Sequence, residues 1–262
     1  MSDSVLIELN DGVLTATLNE PDSMNALSEG VSEGLFEALK RASNDDDVRV
    51  LLLTGAGRGF CAGAAVGSGG RGSGAPSRKT RLDQQGPSAR SVEAFSSCEV
   101  PIIAAVNGAA VGAGFGIATC CDVRILGESA RMGSIFIRRG LASDYGAAYW
   151  LPKIVGMGKA YDLMYSGDLL DAQTCLDWGL ANRVVPDDAL MTEATAYARM
   201  IANGPPLAYT LLRRMMQRSS DMDRATFAEY EWTNQRILVA SKDSREGFAS
   251  FIEKRPPKFT GE

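Results

Sequence analysis

One pattern occurs twice in this chain and constrains the rest: an apolar run that passes at once into a turn dense in glycine. Val48 to Leu53, apolar but for Arg49, leads into Thr54-Gly-Ala-Gly-Arg-Gly-Phe-Cys-Ala-Gly63, and Ile102 to Val106 leads into Asn107-Gly-Ala-Ala-Val-Gly-Ala-Gly-Phe-Gly116. Strands that are apolar at odd and even positions alike are buried on both faces, so layers must cover both sides of their sheet. Helical patterns lie between these runs, and Val123 to Leu126 is a third short strand candidate. The arrangement is that of an α/β protein. Its 262 residues, 45% hydrophobic and 23% charged, are enough for a large core.

The flanking segments fit this frame. Val5 to Leu9 and Val13 to Leu18 alternate around Asp11-Gly12, which predicts a hairpin. Leu27, Val31, Leu35, Leu39 and Ala42 recur at helical spacing, and Glu37 stands four residues before Arg41, the spacing of an ion pair. After Val185-Pro186 the pattern becomes helical, over about 187–203, 207–219, 221–240 and 244–254, with Gly204 and Pro205-Pro206 as breaks. The chain divides into a core over 1–200 and a helical region over 201–262. Residues 67–80, rich in Gly and Ser, read as a surface loop, with Arg71, Arg78 and Lys79 as candidate phosphate contacts.

Composition removes several kinds of function. A net charge of -5 disfavours nucleic acid and anionic membrane surfaces. No apolar run reaches transmembrane length, and Met1-Ser2-Asp3-Ser4 lacks the basic and apolar parts of a signal peptide, so a cytoplasmic location is expected. The five cysteines form no C-x-x-C pair and are expected to be reduced and mostly buried; with no histidine in the chain, no metal site is expected. Proton transfer near neutral pH must then use a carboxylate, Cys, Tyr or Lys.

The glycine turns suggest where chemistry occurs. Glycine lets backbone N–H groups turn inward and approach a ligand. The second turn runs into a helix through Ile117 and Cys121, which adds the positive end of a helix. Two such turns can each give one amide to a developing oxyanion, although tight strand-to-helix turns need have no other role. Thr54-Gly-x-x-x-Gly59 and Tyr149-Trp-Leu-Pro-Lys153 also echo a short-chain dehydrogenase. That reading fails on Cys61 in the motif, on the late position of the turn and on Pro152.

Pro21-Asp-Ser-Met-Asn-Ala-Leu27, Leu53 through Gly63, Pro101 through Asp122 and Ala172 through Val185, in this order, resemble the enoyl-CoA hydratase/isomerase (crotonase) superfamily. The resemblance spans nearly the whole chain. It implies a crotonase-like spiral of ββα repeats with a C-terminal helical region, a homotrimer or dimer of trimers, and a CoA thioester as substrate with no separate cofactor. It implies an oxyanion hole from the backbone N–H groups of Ala64 and Ala113. It also implies CoA contacts at Ala26, Ala62, Ala64, Phe251 and Lys254, the last two often across a subunit boundary.

The departures from the family pattern are as informative. The two positions at which hydratases of the family carry glutamates hold Gly116 and Phe136 here. Hydration needs one group to activate water and one to protonate Cα, and neither residue does either. Gly140-Leu-Ala-Ser-Asp144-Tyr-Gly resembles the segment of family isomerases with a catalytic aspartate, so Asp144 is the expected acid/base of a 1,3-proton shift. Leu141, Tyr145 and Phe136 are expected to make its surroundings apolar, which favours a stronger base. The family's dehalogenases also need a His and a Trp, which are absent from the corresponding places. Two other readings are a helix N-cap role for Asp144 over Tyr145–Leu151 and a non-catalytic acyl-CoA-binding scaffold. Arg138 and Arg139 are read as substrate-facing or surface charge, Asp122 as structural, and Asp45-Asp46-Asp47 as a solvated loop run.

Overall fold

The protein is described by a computed structural model covering residues 4–65 and 77–262. The segment 66–76 lies outside the described residues, and with it Arg71 and most of the expected 67–80 loop. Arg78 and Lys79, by contrast, open a short helix, Arg78–Leu82, capped by Ser77.

Ten strands are described: β1 (Val5–Asn10), β2 (Val13–Leu18), β3 (Val50–Gly55), β4 (Gly59–Cys61), β5 (Ile102–Val106), β6 (Ala109–Val111), β7 (Val123–Gly127), β8 (Arg131–Gly133), β9 (Leu170–Asp171) and β10 (Arg183–Val185). The large sheet has the order β1-β2-β3-β5-β7-β10 and the small one β4-β6-β8-β9. Only the hairpin pair in the large sheet is antiparallel. Each apolar run therefore enters the large sheet, turns on glycine, and adds a short strand to the small sheet before the chain becomes helical. The unit occurs as β3, β4 and helix Gly86–Ser96, and as β5, β6 and helix Ala113–Cys120. This is the expected spiral of ββα repeats.

The all-apolar runs have the predicted consequence. Leu51, Leu53, Ile102, Ala104 and Val106 face the main core, formed with helices Glu29–Asn44 and Ala113–Cys120. Their alternates Val50, Leu52, Ile103 and Ala105 face a second core against Leu190, Ala194, Ala198 and Ile201 of helix Leu190–Ala202. Helix Glu29–Asn44 buries Val31, Leu35, Ala38, Leu39 and Ala42 and is capped by Ser28, whose hydroxyl accepts the Val31 amide at 3.1 Å. Arg41 pairs forward with Asp45 at 3.1 Å instead of back with Glu37. Asp45 thus serves the end of the helix and is not merely part of a solvated run.

The helical region is riveted to the core by Arg213 on helix Pro206–Arg218. This side chain is 6% exposed and donates to Asp122 Oδ2 at 2.8 Å and to the carbonyls of Phe95, Ser96 and Cys98. Asp122 Oδ2 also accepts the Ile102 amide at 2.7 Å, which ties the rivet to the start of β5. The structural reading of Asp122 therefore holds. Further on, Asp243 is buried and accepts the amides of Thr260 and Gly261, folding the last residues back onto helix Lys242–Glu253.

Arg213→Ala removes the charged donor to Asp122, which keeps only the Ile102 amide, and takes the guanidinium from three carbonyls. It is expected to lower stability by roughly 1–3 kcal/mol, seen as a shifted denaturant midpoint at unchanged slope. A midpoint within error of wild type would show that Arg213 is not the rivet.

Candidate active site

Two interlocked turns build the site. The Gly114 Cα lies against the Cys61 carbonyl so closely that a methyl group there would collide with it. A methyl at Gly63 would lie 2.8 Å from the Val111 carbonyl oxygen and 3.3 Å from the Ala113 nitrogen. These approaches bring the Ala64 and Ala113 segments together. Gly63 O accepts the Leu27 amide at 2.8 Å, and Leu27 and Ala64 form a parallel bridge. The N–H of Ala64 consequently faces away from Leu27, since it shares a trans peptide with Gly63 O and points opposite to it. Ala113 is the first residue of its helix, so its N–H has no acceptor within that helix. Two main-chain donors, one at a helix N-terminus, are thus available to an anionic oxygen.

Two asparagines brace the turns. Asn25 is fully buried and donates to Gly59 O at 2.7 Å and Ala56 O at 2.9 Å, while its Oδ1 accepts the Glu20 amide. Met24 O then accepts the Ala62 amide at 2.9 Å, which sets Ala26, Ala62 and Ala64 along two adjacent segments. Asn107 donates to Gly57 O and accepts from the Gly55 amide, tying the second turn to the first. Neither asparagine stood out in the sequence, although each lies inside a stretch that carried the family resemblance.

Gly116 is one helical turn beyond Ala113. A side chain there would begin 2.6 Å from Tyr145 Cβ, 2.7 Å from Tyr145 O and 3.1 Å from Asp144 O. The Asp144–Tyr145 backbone therefore fills the volume that a longer residue at 116 would need. Phe136 reaches the other flank, its ring edge 4.0 Å from where a side chain on Gly112 would start.

Asp144 does not cap the following helix. That helix is Ala147–Val155, its N-cap is Gly146, and the side chain that accepts from within it is Ser143 Oγ, at the Ala148 amide, while Asp144 offers the Ala147 amide only its main-chain carbonyl. Asp144 Oδ1 accepts the adjacent Tyr145 amide at 3.0 Å, and no hydrogen bond or ion pair engages Oδ2 among the described residues. The carboxylate is exposed on a 500 Å³ groove between helix Gly86–Ser96 and residues 143–149. The apolar enclosure expected around it is not supplied within one chain, because Leu141 is 52% exposed. Tyr145 is half-buried, and burial, with the Asp144 charge second, raises its phenol above the ordinary range. It therefore stays protonated and is no base.

The remaining candidates are apart from this cluster. Phe251 and Lys254 are exposed at the end of helix Lys242–Glu253, Phe251 at 83%. Arg138 pairs with Asp168 at 2.7 Å on the surface. All five cysteines are free and buried, with burial pushing Cys61 up to about 11 and Cys120 and Cys175 up to about 12. They are inert at neutral pH as nucleophiles.

The enoyl-CoA hydratase/isomerase family model matches residues 8–262. The chain belongs to the enoyl-CoA hydratase/isomerase family. Among relatives, it is 35% identical to the 1,2-epoxyphenylacetyl-CoA isomerase of Escherichia coli K12, with full coverage of both chains. It is 31% identical to the crotonyl-CoA hydratase of Syntrophomonas wolfei, over 98% of each. Among solved structures, the enoyl-CoA hydratase of Bacillus anthracis superposes with a TM-score of 0.87 at 30% identity, covering 99% of this chain and all of that one. Relatives at similar identity thus carry isomerase and hydratase names alike, so the distinction within the family rests on the site residues.

Burial of all five thiols predicts negligible alkylation of the native protein at neutral pH and reaction of all five after unfolding. Rapid stoichiometric labelling of the folded chain, counted by mass spectrometry, would contradict it.

Proposed function

We propose that this family member is an enoyl-CoA isomerase in which Asp144 is the single acid/base. The observation that carries the reading is the contact between Gly116 and the Asp144–Tyr145 backbone. A carboxylate-bearing loop occupies the space a side chain at 116 would take, one helical turn from the Ala113 amide.

A 1,3-proton shift needs one base and one anion site. The Asp144 carboxylate takes a proton from C2 of a 3-enoyl-CoA, and the C2–H electron pair delocalises onto the thioester oxygen. The amides of Ala64 and Ala113 hold that oxygen in the dienolate. The Asp144 carboxylic acid then returns the proton to C4, giving the 2-enoyl thioester. Each amide contributes about 3–4 kcal/mol to such a transition state. With Gly116 and Phe136 in place of carboxylates and the Tyr145 phenol held neutral, water has no obvious second base, which argues against hydration. The CoA portion is assigned to Ala26, Ala62 and Ala64 and, from a neighbouring copy in a trimer or paired trimers, to Phe251 and Lys254.

Asp144→Asn is expected to lower kcat for a 3-enoyl-CoA by about 10²–10⁴-fold, with KM little changed. Undiminished turnover in that variant would overturn the assignment. Wild-type protein that binds CoA thioesters but converts none of a panel of 2-enoyl, 3-enoyl and aryl thioesters would favour a binding scaffold instead.

A further inference from the structure

Tyr145 has an unusual conformation for its residue type. Its φ is 48°, in the left-handed region that side-chain-bearing residues rarely occupy. Four contacts hold it there. Its amide is shared between Ser88 Oγ at 2.9 Å and Asp144 Oδ1 at 3.0 Å. Its carbonyl accepts the Cys120 thiol at 3.5 Å. Its ring packs on the main core beside helix Gly86–Ser96, which carries Ser88. Its Cβ and carbonyl press on the bare Cα of Gly116.

These contacts converge on one function. A residue that keeps a disfavoured backbone is held by its surroundings, and here the surroundings are the helix behind the groove and the helix that carries the Ala113 amide. We propose that Tyr145 is a positioning residue for Asp144: wedged between Ser88 and Gly116, it fixes the 144–145 peptide so that Oδ1 is occupied and Oδ2 is left free to exchange the substrate proton. The inference rests on Asp144 being the acid/base. Gly116 and Tyr145 form a matched pair in this account, since a side chain at 116 displaces the wedge. Their combination also selects isomerisation over hydration, by filling with main chain the space a second carboxylate would use.

The test is a set of variants assayed on a 3-enoyl-CoA beside wild type and Asp144→Asn, with thermal melts recorded for each. Tyr145→Gly keeps access to the left-handed backbone but removes the wedge. It is expected to lower kcat at least tenfold with KM within twofold, while Tyr145→Phe, which keeps the ring, retains most of kcat. Gly116→Ala is expected to lower kcat similarly, and to cost much less when added to Tyr145→Gly than when added to wild type. Should Tyr145→Gly not fold, Ser88→Ala carries the same prediction of a kcat loss at unchanged KM. Full kcat in Tyr145→Gly or, failing that variant, in Ser88→Ala would overturn the positioning role, as would independent effects at 116 and 145. If those variants are active and Asp144→Asn is dead, only this inference fails. If Asp144→Asn is itself active, the acid/base assignment beneath it fails.

Discussion

Backbone-to-backbone contact between the two glycine turns is the constraint on which the site depends. Where Gly114 meets the Cys61 carbonyl and Gly63 meets the Val111 carbonyl, no side chain fits between the strands that lead out of the large sheet. The contact is possible because both runs are parallel neighbours in that sheet, β3 beside β5, and turn into parallel neighbours in the small one, β4 beside β6. The sheet thereby delivers two main-chain amides to one place. Apart from the Asn25 and Asn107 braces, side chains contribute little to that delivery.

The same economy extends to Gly116. Removing a side chain from the second helical turn leaves a hole, and here it is filled by the main chain of Asp144 and Tyr145. An acidic residue is gained on the neighbouring loop where none stands on the helix. In the proposed mechanism, the anion-holding part and the proton-moving part are separable. The first is assigned to the glycine turns, and the second to one loop and its anchor on helix Gly86–Ser96.

Much of this was legible in the sequence wherever local chemistry decides it. Ile102–Val106 begins and ends where its apolar run does, and the alternating Val5–Leu9 and Val13–Leu18 segments pair as a hairpin, because burial on two faces or one sets their patterns. The strand expected from Val48 begins at Val50, since Val48 is buried outside the ladder. The three-residue strands β4, β6 and β8 are too short for a periodic signal, and β4 and β6 lie within glycine-rich stretches. Family resemblance singles out Asp144, and the alternative reading of it as an N-cap fails because Tyr145 and Gly146 both take positive φ and delay the helix to Ala147. The Tyr145 anchor could not be read at all, because Ser88 and Gly116 are distant in sequence and meet it only in the folded chain.

The account turns on Asp144 being the group that generates the enolate between the two amides. Solvent deuterium uptake at Cα of a saturated acyl-CoA, followed by the mass of the thioester, isolates that step from any later protonation. Wild-type protein is predicted to exchange Cα hydrogen, and Asp144→Asn to show none above the uncatalysed rate. Exchange by Asp144→Asn at the wild-type rate would contradict the account.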